Sequence, residues 1–461
     1  NKLKSRTTLC TLRKDGSMIN GWKDSMELLL SELLPDDQLS DDTANQTVLR
    51  QSMNESYSTT EKTTEFEETE IKNIIQTLRK NKASGPDGIT AEVLQSIIHK
   101  ITPYLTNLYN ECLRQRKFPE PWKTAEVIIL NKGSEKDPKL PKSYRPISLL
   151  NIMGKIYEKL MVDRLMKHRN KMGVNENQFG FTKNRSTEDA INAAINSVKS
   201  AEEKYVIGLF IDISGAFDNM WWPVLFANLR RLKCPEDIYD TYRDYFKNRK
   251  VEIKCPNEVI KKTITKGCPQ GSVSGPIMWN IVLEPCLDQL QTIADVHSVV
   301  AFADDVLILV TGNSRRKLEE KTNGIMQTLQ SWCEENKLQL SMQKTVYMLL
   351  KGKLERNPTI KLNGINIKRV KTTKYLGIMI DEKLNFQDHI DYVSNKARKL
   401  MNQIVSIGQK RFHLPMDTIR VYHNAILLAI TGYGASVWGH RARLKKNHCC
   451  WDEYRGISCC G

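Results

Sequence analysis

The sequence predicts an α/β (α+β) fold, an antiparallel sheet covered by helices, and three observations carry that expectation. Residues 299–310, VVAFADDVLILV, are two apolar runs interrupted by Asp304 and Asp305, which reads as a buried hairpin with two charges at its tip. Residues 205–212, YVIGLFID, form another apolar strand, ending on the carboxylate of Asp212. Elsewhere apolar residues recur at helical spacing, as at Ile71, Ile74, Ile75 and Leu78. Aspartates cap many ordinary hairpins, so the pair alone specifies no chemistry. The upstream strand breaks the tie, because three strand-borne aspartates can then meet on one sheet. Neighbouring carboxylates repel unless a cation sits between them, and a cluster of hard oxygen ligands suits Mg²⁺. Two such ions about 4 Å apart activate an attacking hydroxyl and stabilise the leaving oxygen of a phosphoryl transfer.

AFADDVLILV resembles the motif that holds the paired aspartates of reverse transcriptases, and FIDISGAFD resembles the motif of their first aspartate. More narrowly, the chain resembles the polymerase of non-LTR (LINE-like, type-1) retrotransposons, the group that includes elements inserting into arthropod ribosomal DNA. The matching blocks run in family order from about residue 81 to residue 438. The resemblance implies a right-hand polymerase with fingers at 61–200, palm at 201–380 and a partial helical thumb at 381–440. It implies RNA-directed DNA synthesis with Mg²⁺, or Mn²⁺ in its place, and deoxynucleoside triphosphates (dNTPs) as substrates. The partners would be an RNA template and a DNA primer or nicked target DNA. It assigns Asp212, Ile213, Asp304 and Asp305 to the metal. Asp212 and Asp304 would bridge both ions, with Asp305 a weaker ligand or an electrostatic support. A truncated, non-catalytic nucleic-acid-binding remnant and an RNA-dependent RNA polymerase remain as alternatives.

Composition is consistent with this. The 461 residues carry a net charge of +16, and the first 70 hold 8 Lys and Arg against 14 Asp and Glu, which leaves +22 on the remainder. A basic body suits an acidic partner such as nucleic acid, although charge also serves solubility. Seven of the 11 cysteines are scattered, as expected of reduced thiols in an intracellular protein. No stretch approaches the roughly 20 apolar residues of a membrane span, so no membrane partner is expected, and no signal-peptide layout opens the chain. A nuclear site of action follows from the chemistry's target, but the basic run KNRK at 247–250 is too short to specify import.

In chain order, residues 1–60 read as a polar linker with one short amphipathic helix at 22–34. In the resembling elements an endonuclease domain lies upstream of such a connector, so the chain reads as a fragment of a larger polyprotein. Helical spacing from Thr64 stops at the turn KNKASGPDGIT, residues 80–90, and resumes over 91–112. Residues 125–130 form a short strand leading to Lys132, and SYRPISLLN carries Arg145. Either residue is an ordinary loop charge by itself. The resemblance places them at the triphosphate, where arginine offers a bidentate fork and lysine a point charge. NQFGFTKNRSTEDA, residues 177–190, resembles the block between fingers and palm, and Lys183 and Arg185 are expected at template backbone unless they are plain surface charge. A helix follows over 187–198.

Phe217 lies five residues after Asp212, where the family places an aromatic against the sugar's 2′ position. Its bulk would exclude a ribose hydroxyl, although an aromatic is as readily core. Asp218 is expected to be structural or to act by supporting a neighbouring site residue. TKGCPQGSVSGPIMWNIVL, residues 265–283, is a permissive Gly/Pro loop before an apolar helix, and the resemblance sets Gln270 beside the incoming nucleotide. Ala303 is the position facing the primer terminus. Residues 321–336 read as an amphipathic helix and 338–350 as a turn and strand in which Lys344 is the candidate acid for the departing pyrophosphate, or a strand-end cation. KYLGIMID, residues 374–381, resembles the primer-gripping hairpin, shaped by Leu376 and Gly377 through backbone. Helical spacing from Ile390 to Ile407 and over 416–430 suits a thumb. Lys396, Arg398, Lys399, Lys410 and Arg411 there face either duplex or solvent. The tail, 441–461, holds Cys449-Cys450 and Cys459-Cys460, adjacent pairs without zinc-ligand spacing, and reads as an out-of-frame ending.

Overall fold

Apolar runs without polar alternation need both faces covered, and Tyr205–Asp212 meets that need: every residue from Tyr205 to Ile211 is buried. In a computed structural model, which describes residues 12–14, 17–19, 21–133, 136–255, 258–407 and 415–442, this strand is the centre of a five-stranded sheet. The order is Lys368–Arg369, Val346–Lys351, Tyr205–Asp212, Asp305–Gly312, Val296–Phe302. All neighbours are antiparallel except the first pair. Helix Thr187–Ser200 covers it with Ala190, Ile191, Ala194, Ile195 and Val198, which join Val206, Phe210, Leu307 and Leu309 in one core. That helix starts on a capping box in which Ser186 and Asp189 satisfy each other's backbone N–H groups.

The chain divides into two compact units that interleave along the sequence, so no single boundary separates them. The five-stranded sheet belongs to the unit built from Glu176–Ile213, Cys286–Ser331 and the chain from Leu340 onward. It also contains the hairpin Thr372–Tyr375 with Ile378–Asp381 and the helix Gln387–Ile407, which buries Ile390, Val393 and Ala397. Lys396, Arg398 and Lys399 are exposed on that helix. Lys410, Arg411 and the four clustered cysteines lie outside the described residues.

The other unit is built from the chain up to Asn175, Ser214–Pro285 and Trp332–Gln339. Its four-stranded sheet runs Tyr144–Leu149, Thr124–Asn131, Lys250–Lys254, Val259–Thr263, with the middle pair parallel. Much of the segment expected as a polar linker is folded into this unit. Helix Trp22–Leu33 buries Met26, Leu28, Leu29 and Leu30 in one core with Val127, Tyr144, Val251 and Ile253. Helix Ala44–Asn54 follows, its Gln46 donating to the carbonyls of Glu334 and Glu335 at 2.9 and 3.1 Å. The linker reading rested on polar composition. These polar side chains have partners nearly 300 residues away, which no local pattern displays. No helix among the described residues is long and apolar enough to cross a membrane.

Candidate active site

Strand pairing alone brings two of the expected carboxylates together. Asp212 closes its strand and Asp305 opens the next, and the antiparallel register sets them directly opposite each other. Asp305 is also paired with Phe302 across the hairpin, so the two-residue tip is Ala303-Asp304 rather than Asp304-Asp305. The expected tip is displaced by one residue, because the ladder continues to Asp305. Asp304 thus sits on the turn and Asp305 in the sheet.

Lys344 enters this group from the segment before Val346–Lys351. Its Nζ lies 3.0 Å from both oxygens of Asp212, whose side chain is 24% exposed against 64% for the lysine. The backbone is fixed on both sides: Ser341 N–H donates to the Asp212 carbonyl at 2.8 Å, and Asp212 N–H donates to the buried Thr345 hydroxyl at 3.4 Å. Ile213 forms an isolated bridge with Leu340 and is 5% exposed, so its backbone is the only part of it able to serve as a ligand.

The crowding has an electrostatic consequence. The carboxyl of Asp305 is pushed up to about 6, first by removal of solvent around it, then by the charges of Asp304 and Asp212, with Lys344 opposing. Such a group gains most from a cation. The donor set is hard oxygen, suited to a divalent ion, and the ammonium of Lys344 already supplies positive charge at Asp212. Among the described residues, no three His, Cys, Asp or Glu side chains stand ready as a complete ligand set.

The expected nucleotide-binding residues all lie in the other unit. Lys132 N–H donates to Ser143 O and Arg145 is registered opposite Leu130, which puts both exposed cations on one face as diagonal neighbours. Lys132 Nζ donates to the Lys142 carbonyl at 2.8 Å. Gln270 is tied to the same sheet, its carbonyl accepting from Ser148 N–H at 2.8 Å. Gly267 makes the loop possible: its φ is +80° and a Cβ there would lie 2.5 Å from the Asp218 carbonyl. Phe217 is half-buried, 5.9 Å from the ring of Trp279, and its carbonyl accepts from Cys268 N–H.

Of the two parts expected of Asp218, the contacts are those of a support for Gln270. Both its oxygens accept from Gln270 Nε2 at 2.9 Å, which fixes the rotation of that amide and leaves its oxygen turned away. Burial pushes the Asp218 carboxyl up to about 6, against the pull of Gln270 and Lys132.

Lys183 is exposed, whereas Arg185 turns back onto its own loop. It donates to the Glu176 carbonyl and lies 4.9 Å from the ring centre of Phe179. Leu376 and Gly377 form the turn of their hairpin, with φ of +45° and +88°. Tyr433 braces it, its hydroxyl donating to the Leu376 carbonyl at 2.9 Å. Sequence reasoning missed Tyr433 and Gln178, a buried residue whose amide reaches Ala303. Gln178 lies inside the block at 177–190 and Tyr433 inside GYGASVWG, residues 432–439, and membership of such a block is the available signal.

A family model described as reverse transcriptase (RNA-dependent DNA polymerase) matches residues 130–380. The chain is 34% identical, over 93% of its length and 42% of the relative's, to the retrovirus-related Pol polyprotein from type-1 retrotransposable element R1 of Bradysia coprophila. It is 32% identical to a putative 115 kDa protein in type-1 retrotransposable element R1DM of Drosophila melanogaster, over 94% of the chain and 40% of that protein. The RNA-directed DNA polymerase from mobile element jockey of the same fly is 28% identical over 82% of the chain and 42% of its own length. The chain thus spans about two fifths of the length of these relatives.

Proposed function

The chain belongs to the reverse transcriptase (RNA-dependent DNA polymerase) family, and from that premise we propose that it is the RNA-directed DNA polymerase of a non-LTR retrotransposon, copying element RNA into DNA. The observation that carries the reading is the pairing of Asp212 with Asp305 on adjacent strands, Asp304 next to it on the turn, and Lys344 on Asp212.

Enzymes of this family work with divalent metal ions and deoxynucleoside triphosphates, and the ion proposed here is Mg²⁺, with Mn²⁺ as a substitute. Asp212, Asp304, Asp305 and the backbone of Ile213 would hold it. When bound, it supplies Lewis-acid stabilisation of phosphate charge and eases deprotonation of the attacking hydroxyl. The chain's own residues do the rest. Lys344, 64% exposed, gives a proton to the departing pyrophosphate. Arg145 and Lys132 neutralise the triphosphate, Gln270 lies against the nucleotide in the orientation Asp218 imposes, and Phe217 rejects a ribose 2′-hydroxyl. Ala303, Leu376 and Gly377 border the primer, and Lys183 and Arg185 the template.

Partners under this proposal are an RNA template and a DNA primer, supplied in the element by nicked target DNA in the nucleus. The nick would come from an endonuclease domain of the same polyprotein. Primer extension on an RNA template with Mg²⁺ tests the reading, comparing deoxy- with ribonucleotides and the unmodified chain with Asp304→Ala. Incorporation of deoxynucleotides that Asp304→Ala abolishes is expected. A preference for ribonucleotides would point to an RNA polymerase, and tight RNA binding by folded protein without incorporation would leave a nucleic-acid-binding remnant.

A further inference from the structure

The carboxylate-bearing hairpin turns at Ala303, whose φ of +57° is a left-handed conformation that residues with a side chain seldom keep unaided. The support comes from one side chain 125 residues earlier in the chain. Gln178 is 2% exposed. Its Oε1 accepts from Ala303 N–H at 3.0 Å and from Gly180 N–H at 2.8 Å, and its Nε2 donates to the Ala303 carbonyl at 3.3 Å. One planar amide therefore satisfies both backbone groups of the turn residue.

The surrounding backbone acts in the same direction. Phe179 N–H donates to the Ala301 carbonyl at 2.7 Å and Ala301 N–H donates to the Asn177 carbonyl at 2.8 Å, on either side of an isolated parallel bridge between Gln178 and Ala301. Gly180 lies so near that a Cβ on it would stand 2.2 Å from Ala303 N. Residues 177–180 thus form a backbone rail along the edge strand, with the Gln178 amide as its clamp on the turn.

We infer that Gln178 is a positioning residue that fixes the Ala303 turn and thereby the directions in which Asp304 and Asp305 present their carboxylates. The catalytic half of this inference rests on the polymerase reading; the clamp itself does not. The residue type is what the place demands. An amide offers one acceptor and one donor on a single group without charge. A lysine or arginine would pair with the aspartates, and a glutamate would add a buried negative charge beside them.

Gln178→Met and Gln178→Glu, made in the full chain, test both halves. Methionine keeps the length and burial but neither hydrogen bond, whereas glutamate keeps the acceptor for Ala303 N–H and loses the donor. Hydrogen exchange at residues 302–305 is expected to accelerate about tenfold in Gln178→Met and less in Gln178→Glu, with strand Tyr205–Asp212 still protected. In primer extension, kcat of Gln178→Met is expected to fall about tenfold or more, while KM for the deoxynucleotide and affinity for primer–template stay within about twofold. The Mg²⁺ concentration for half-maximal rate should rise. Unchanged exchange at 302–305 would overturn the clamp, and lost protection with kcat within about twofold of the unmodified chain would overturn its catalytic role. If the unmodified chain adds no nucleotide, the polymerase reading fails and the catalytic half with it, and the exchange experiment still decides whether Gln178 holds the turn.

Discussion

Replacing Asp37 with alanine removes one of two carboxylates from a four-charge cluster. Arg50 Nη1 is 2.5 Å from Asp37 and its Nε is 2.6 Å from Asp42. Lys337 Nζ is 3.2 Å from Asp37 and also pairs with Asp42. Asp37 further accepts the indole N–H of Trp221 at 3.2 Å, and both cations lie over that indole, at 5.3 and 5.2 Å from its centre. Asp37 and Asp42 are 6% exposed, Lys337 13% and Arg50 22%, so water relieves little of any imbalance. Alanine strands one positive charge and deprives the indole of that acceptor. Breaking a buried pair costs about 3–5 kcal/mol, and because Asp42 still engages both cations the loss expected here is near 3 kcal/mol. Asp37→Ala with Lys337→Met removes the stranded charge and should recover about 1–2 kcal/mol relative to additivity. Urea unfolding followed by far-UV circular dichroism measures the cycle, and hydrogen exchange locates the loss in helix Ala44–Asn54. A cost below about 1 kcal/mol, or an additive double variant, would mean that the cluster behaves as ordinary surface ion pairs and the argument is wrong. The pH arm has a definite sign. Hydrogen bonds from Arg50 hold Asp42 from its ordinary 3.8 down to about 2. A depressed carboxylate stabilises above its unfolded value, so this contribution is present at neutral pH and disappears as pH falls from about 4 through about 2.

Lys344→Met should lower kcat about 100-fold, with nucleotide KM little changed; a fall of less than about threefold would return Lys344 to a strand-end cation. Phe217→Val should admit ribonucleotides, read as a rise of about tenfold or more in their kcat/KM relative to deoxynucleotides, and an unaltered ratio would mean that Phe217 only packs on Trp279. Asp218→Asn frees the Gln270 amide to rotate and should raise KM for the deoxynucleotide several-fold, about as much as Gln270→Ala, the two being non-additive. Because the Asp218 carboxyl is pushed up to about 6, the unmodified chain should approach the KM of the Asn variant as pH falls through about 6, and a flat profile between pH 7 and 5 would refute the coupling.

Much of the right answer was already legible in short windows. The apolar runs of Tyr205–Asp212 and of the strands flanking Ala303, and the helix Thr187–Ser200, are local consequences of burial and period, and the carboxylates at the strand ends follow from them. Where prediction missed, it missed polar residues whose partners are far along the chain. Arg50, Asp37 and Gln46 look like linker composition until Lys337, Glu334 and Glu335 are set beside them.

What the sequence alone determined is therefore the chemistry on offer: three aspartates at the ends of apolar runs, a lysine before a strand, an aromatic after the first aspartate, and a basic body. Side-chain type and local hydrophobic period are properties of the chain itself. Only tertiary structure decided the register that faces Asp212 with Asp305, the one-residue shift that puts Asp304 on the turn, the placing of Lys344 on an aspartate 132 residues away, and the Gln178 clamp on Ala303. A strand slipped by one residue would carry the same local pattern and point every carboxylate to the opposite face, so these relations exist only once the ladder and the core have chosen among registers.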